Sequence, residues 1–112
     1  MKESGMIDWT HVASLRDDMG DGFDELVAVF LEEMDAATAA LDPAAAPDRM
    51  AADLHFLKGA ALNLGFTALG GLCAAGEVEA RQGAAVDVAQ VRQSYQASRA
   101  EFLEGLGARS AA

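Results

Sequence analysis

His55 is followed by Lys58 at i+3 and by Gly59 at i+4, inside the apolar stretch ADLHFLKGAALNLGF that spans residues 52–66. At about 100° per residue, His55 lies beside Leu54 at the edge of a buried face, with Ala51 one turn before it and Leu62 at i+7. The imidazole and the ammonium therefore share one strip of helix surface. A neutral imidazole carries a nucleophilic nitrogen near neutral pH. A neighbouring cation disfavours protonation of the ring and attracts an anion. That pairing suits a histidine that takes up a phosphoryl group, with Lys58 offsetting charge on the transferring oxygens. Gly59 is the odd choice, because a glycine costs a helix interior about 1 kcal/mol relative to alanine. Its missing side chain bares the helix beside the ring, as expected if something bulky and negative must approach His55.

Such a ring needs a fixed acceptor on its other nitrogen to set the tautomer. Gly65 reads as a tight turn that sends the following helix back antiparallel. His55 lies 10 residues before that glycine and Glu77 lies 12 after it, so the two fall at similar heights on neighbouring helices. Glu77 is expected either to orient His55 or to pair with Lys58. Each residue alone has a plainer reading: a boundary histidine, a solvated lysine, a packing glycine, a surface carboxylate. The signal is their coincidence on one patch.

Helices must position that patch, and the sequence predicts five. The first runs from Asp8, as its cap, to about Met19, with GDG at 20–22 as a turn. The second runs from Gly22 to Leu41 with Asp21 as cap and Phe23, Leu26, Val27, Phe30, Met34, Ala37 and Leu41 inward. A linker, DPAAAP, leads to a third helix capped by Asp48 and stopped by Gly65, with Met50, Leu54, Leu57, Ala61 and Leu64 inward. Thr67 is expected to cap a fourth helix over 68–82, with Leu69, Leu72, Cys73, Gly76 and Ala80 inward. The fifth runs from Asp87 to Leu106, with Val88, Val91, Tyr95, Ser98 and Phe102 inward and Gly107 as its stop. The tail ARSAA is expected to fray. The fold class is all-α: an antiparallel four-helix bundle with a short additional N-terminal helix as a lid across one end, in a single domain over residues 1–112.

Composition agrees: alanine-rich, few β-branched residues and only 2 prolines in 112 residues. A formal charge of −10 repels phosphate backbones and argues against a nucleic-acid partner. One cysteine, Cys73, permits no intrachain disulfide or multi-cysteine metal cluster and fits a cytoplasmic location. The N-terminus lacks a signal-peptide core. The uncharged run from Gly59 to Gly76 is nearly long enough to span a membrane, but Asn63, Gly65, Thr67, Gly70 and Gly71 break it into two buried helices. The start methionine and complete helical set favour a free-standing protein.

These residues resemble the histidine-containing phosphotransfer (HPt) domain family. LHFLKGAALNLGFTALGGLCAAGEVEA matches at His55, Leu57, Lys58, Gly59, Leu64 and Gly65, then at Leu69, Cys73 and Glu77. ELVAVFLEEM at 25–34 is similar to the family's second helix and IDWTHVASL to its first. The resemblance implies a monomeric bundle that binds neither ATP nor a cofactor. It implies that His55 accepts a phosphoryl group, through its exposed ring nitrogen, from the aspartate of a response-regulator receiver domain and passes it to another. Lys58 would then stabilise phosphate charge, Gly59 would give access, and Glu77 would bond the ring. Two features depart: Ala60 stands where many members have serine, and helix four carries Gly70, Gly71 and Gly76, which should loosen it. A receiver, or a hybrid histidine kinase, docking over His55 would touch Lys58, Phe56, Leu62 and Asn63, with Leu31 and Glu32 on helix two.

Other functions fare worse. There is no glycine-rich nucleotide loop, so the chain is expected to be a phosphoryl carrier and not a kinase. A non-catalytic adaptor that docks on a receiver or kinase is the principal alternative. A metal site of the Glu-x-x-His type is not supported: Ala52 precedes His55 by three residues, and Asp8, three before His11, is assigned to a cap. His11 is expected on the surface of helix one. Cys73 is expected buried and inert, and Ser94 and Ser98 have no histidine at useful spacing.

Overall fold

The computed structural model of the chain describes residues 5–110. Its helices are α1 (Trp9–Met19), α2 (Phe23–Ala40), α3 (Pro47–Asn63), α4 (Thr67–Arg81) and α5 (Val88–Ser110), with a 3-10 turn over Gly20–Gly22. The packing is a closed ring in which α2 lies on α3, α3 on α4, α4 on α5, and α5 returns to α2. This is an all-α four-helix bundle with an extra N-terminal helix. No helix among the described residues is long and apolar enough to cross a membrane.

The turns follow from glycine geometry. Gly65 has φ 86°, and after it Phe66 N–H bonds the carbonyl of Ala61 at 2.8 Å, closing α3 with the six-to-one bond of a Schellman end. Gly83 (φ 76°) closes α4 the same way through Ala84 N–H and Glu79 O. Asp8 caps α1, its Oδ1 accepting from His11 N–H at 3.1 Å.

The other expected caps fall elsewhere. Asp21 lies within the 3-10 turn, and Gly22 precedes α2 with no side-chain cap. Ala46 precedes α3 because Pro47 takes the first helical position, where its missing N–H loses nothing; Asp48 sits in the first turn instead. Phe66 precedes α4, and the Thr67 hydroxyl donates instead to the carbonyls of Gly5 and Met6. Gly107 does not stop α5, which continues to Ser110. The last turn is held from outside, by the Arg109 guanidinium stacked 3.6 Å over the Trp9 ring. Of the tail expected to fray, 108–110 are therefore helical, and 111–112 lie outside the described residues.

The expected stripes of α3, α4 and α5 are buried, apart from Leu72, which is half-buried. The face of α2 is rotated: Phe23, Val27, Leu31, Met34, Thr38 and Leu41 are buried, whereas Leu26, Phe30 and Ala37 are only partly covered. The cause is α5, which claims part of α2. The Tyr95 hydroxyl donates to Asp35, Arg99 pairs with Asp35 at 3.1 Å, and Arg92 donates to the terminal carbonyls of Thr38 and Leu41. Phe66, Tyr95 and Phe102 form an aromatic cluster in the core, onto which Trp9 of α1 stacks at 5.8 Å from Phe102. Thus α1 closes one end of the bundle, and its His11 Nε2 lies 2.8 Å from the carbonyl of Asn63 at the end of α3. His11 is half-buried and engaged, not a plain surface residue.

Candidate functional site

His55 projects from the middle of α3 with its side chain 66% exposed. Its Nδ1 turns back to Glu77 of α4, at 3.2 Å from Oε1 and 3.3 Å from Oε2. Close approach of α3 and α4 makes this possible. Leu62 lies over Gly70, where an added Cβ would come within 2.4 Å of its Cδ2, and Leu54 packs against Gly76 in the same way at 3.0 Å. These two glycines, which in sequence look like weak points of α4, set the helix spacing. Gly71 faces open space and has no such role.

The spacing allows Glu77 either of two partners, and the structure gives it both, plus a third. Lys58 Nζ donates to Oε1 at 3.0 Å, and Arg81 Nη2 donates to Oε2 at 2.8 Å. With a side chain only 11% exposed, a carboxyl would ordinarily resist ionisation. Here Arg81, then Lys58, and less strongly His55, outweigh that burial and hold the group down at about 2. It is therefore a carboxylate at neutral pH and can only accept. The hydrogen between it and the ring must then sit on Nδ1, which leaves the lone pair of the imidazole on Nε2, at the exposed edge. Arg81 was missed in the sequence reading, although its place at i+4 from Glu77 on one helix is a recognisable ion-pair spacing.

Gly59 lies in α3 beside this ring, and a Cβ built on it would meet no atom within 4 Å. It is not a packing glycine of this fold. Beneath the patch, burial pushes the Cys73 thiol up to about 12 against the opposing pull of Lys58, so the thiol stays protonated and inert at neutral pH.

Of the expected contact residues, Phe56, Leu62 and Asn63 are exposed on α3 around His55, and Glu32 is exposed on α2. Leu31 is a correction. It is 7% exposed because the rotation of α2 turns it into the core, where it is no longer a surface residue. Glu33, Ala36, Ala37 and Ala40 of α2 face α3 instead and, with Asp53 and Phe56, line a shallow cleft of about 360 Å³ that reaches Phe56, the residue next to His55 in the chain. Their spacing of three and four was legible as one helix face, but nothing local said which neighbour it would meet. Among the described residues, no three His, Cys, Asp or Glu side chains are grouped to hold a metal ion.

Compared with known protein families, residues 25–101 match the family model described as the Hpt domain, well over half of the chain. No curated protein and no solved structure matches it.

Proposed function

Because this chain belongs to the Hpt domain family, with a phosphotransfer-related role in two-component signalling, we propose that His55 is the residue that carries the phosphoryl group. The donor and the acceptor are aspartates of response-regulator receiver domains, and a hybrid histidine kinase is a further source. The observation that carries this reading is the ring itself: Nδ1 lies 3.2 Å from the largely buried Glu77 carboxylate while the side chain is 66% exposed, which puts the proton on Nδ1 and leaves Nε2 as the free nitrogen.

The chemistry follows from that geometry. Nε2 attacks the phosphorus of an aspartyl phosphate; the N–P bond forms as the P–O bond breaks, and the aspartate leaves as a carboxylate. The Nδ1 proton is not lost, so the phosphorylated ring carries imidazolium character, which the Glu77 carboxylate opposite Nδ1 stabilises. Lys58 offsets charge on the phosphoryl oxygens. Gly59 leaves the α3 surface bare so that the receiver's active site can close over the ring. The chain is a carrier and not a kinase, and a magnesium ion needed for transfer belongs to the receiver. The receiver docks over Phe56, Leu62 and Asn63 of α3 and reaches α2 across the adjoining cleft, giving a modest, transient interface. The protein acts as a monomer.

The test is phosphotransfer from receiver domains charged with acetyl phosphate to the wild type and to His55→Gln. Acid-labile, base-stable label on the wild type that is absent from the variant is the expected result. Binding without label on either protein would move the reading to an adaptor that docks through the same face.

A further inference from the structure

Lys58 has two tasks in the mechanism above, and one ammonium cannot do both in one place. In the structure it sits on Glu77 Oε1, on the Nδ1 side of the His55 ring. A phosphoryl group on Nε2 lies at the opposite edge. When Lys58 turns toward the phosphoryl oxygens, the Glu77 carboxylate loses a cation at the moment when the ring most needs that carboxylate fixed and ionised. Arg81 has no such conflict. It bonds the other oxygen, Oε2, at 2.8 Å, and it reaches that oxygen from one turn along the same helix. Its partner is on its own helix and its grip does not depend on the ring.

We propose that Arg81 is a positioning residue that keeps the Glu77 carboxylate on the His55 ring while Lys58 serves the phosphoryl group. The division of labour is one cation per carboxylate oxygen, one of them movable and the other resident. The inference rests on the carrier reading and adds a residue to it. Arg81 is also well placed for a test, because its side chain is 63% exposed and its loss opens no hole in the core.

The test compares wild type, Arg81→Ala and Arg81→Lys, each phosphorylated directly with phosphoramidate, with the His55 ring followed by nitrogen-resolved NMR before and after. In the unphosphorylated state all three are expected to show the Nδ1–H tautomer, since Lys58 still holds Glu77. After phosphorylation the Nδ1–H signal should persist in the wild type, broaden or vanish in Arg81→Ala, and return in Arg81→Lys. The phosphorylation rate should fall by about tenfold in Arg81→Ala, the scale of one charge-assisted hydrogen bond, and recover in Arg81→Lys. A wild-type rate and an intact ring signal in phosphorylated Arg81→Ala would overturn the role of Arg81 while leaving the carrier reading standing. Loss of the ring signal before phosphorylation would overturn it too, by making Arg81 a constant structural partner of Glu77. A wild type that takes no phosphate on His55 would remove the carrier reading and this inference together.

Discussion

Replacing Gly59 should make the protein more stable and less active, and both halves can be worked from the structure. Gly59 is an interior residue of α3, it has no positive φ, and an added Cβ meets nothing within 4 Å. Gly59→Ala therefore incurs no steric penalty in the folded state and recovers the helix-propensity difference of about 1 kcal/mol. For a chain of this size, 1 kcal/mol raises the thermal midpoint by roughly 4 °C. Gly59→Gln should gain somewhat less. Transfer should move the other way. In the proposed docking mode a methyl at this position stands on the surface that the receiver covers, and a glutamine fills it, so transfer from a charged receiver should drop modestly in the alanine variant and by at least about tenfold in the glutamine variant, equivalent to about 1.4 kcal/mol in the barrier. The assay pairs thermal unfolding with initial transfer rates on the same preparations. Wild-type transfer by Gly59→Gln would refute the access argument. A lower midpoint in Gly59→Ala would refute the claim that the position is open.

Two further outcomes follow from the same geometry. Glu77 titrates near 2 in the folded protein against an ordinary value of 4.5. Because its folded value is depressed, its contribution to stability is fully present above about pH 4.5 and is lost as the pH falls toward 2. Thermal midpoints of wild type and Glu77→Gln should then converge across that window, and a gap that stays constant would mean the carboxylate is not held by its cations. Ser98 is wholly buried and its hydroxyl has no hydrogen-bond partner among the described residues. Ser98→Ala should raise the urea midpoint by the equivalent of about 1 kcal/mol, since an unsatisfied buried hydroxyl is destabilising; a lower midpoint would show that the hydroxyl has a partner after all.

The site is built on two helices whose separation is set by absent side chains. Gly70 and Gly76 admit Leu62 and Leu54, and that approach brings Glu77 under His55. The end of α3 is tied down as well, by His11 on the Asn63 carbonyl and by Asp8 N–H on the Gly65 carbonyl at 2.8 Å. The N-terminal helix thus acts as a brace for the helix that carries the histidine, rather than only as a lid.

Much of this was legible in one dimension. The common strip of His55, Lys58 and Gly59 is a property of a single helix, and helical spacing is local, so counting residues was enough to find it. Gly65 and Gly83 mark their turns because only a residue without a Cβ adopts their backbone without strain. The core stripes of α3, α4 and α5 followed from the same periodicity. Legibility failed wherever a distant segment decided. Leu31 is buried because α5 rotates α2, and α5 passes Gly107 because Trp9 holds Arg109. Caps moved where a proline or an incoming segment of chain intervened, by two residues from Asp48 to Ala46 and by one from Thr67 to Phe66. The sequence alone determined which residues share a helix face. Only the tertiary structure decided that one carboxylate would hold a ring, an ammonium and a guanidinium at once. The register between two helices depends on how their side chains interlock, and no spacing along one chain contains that.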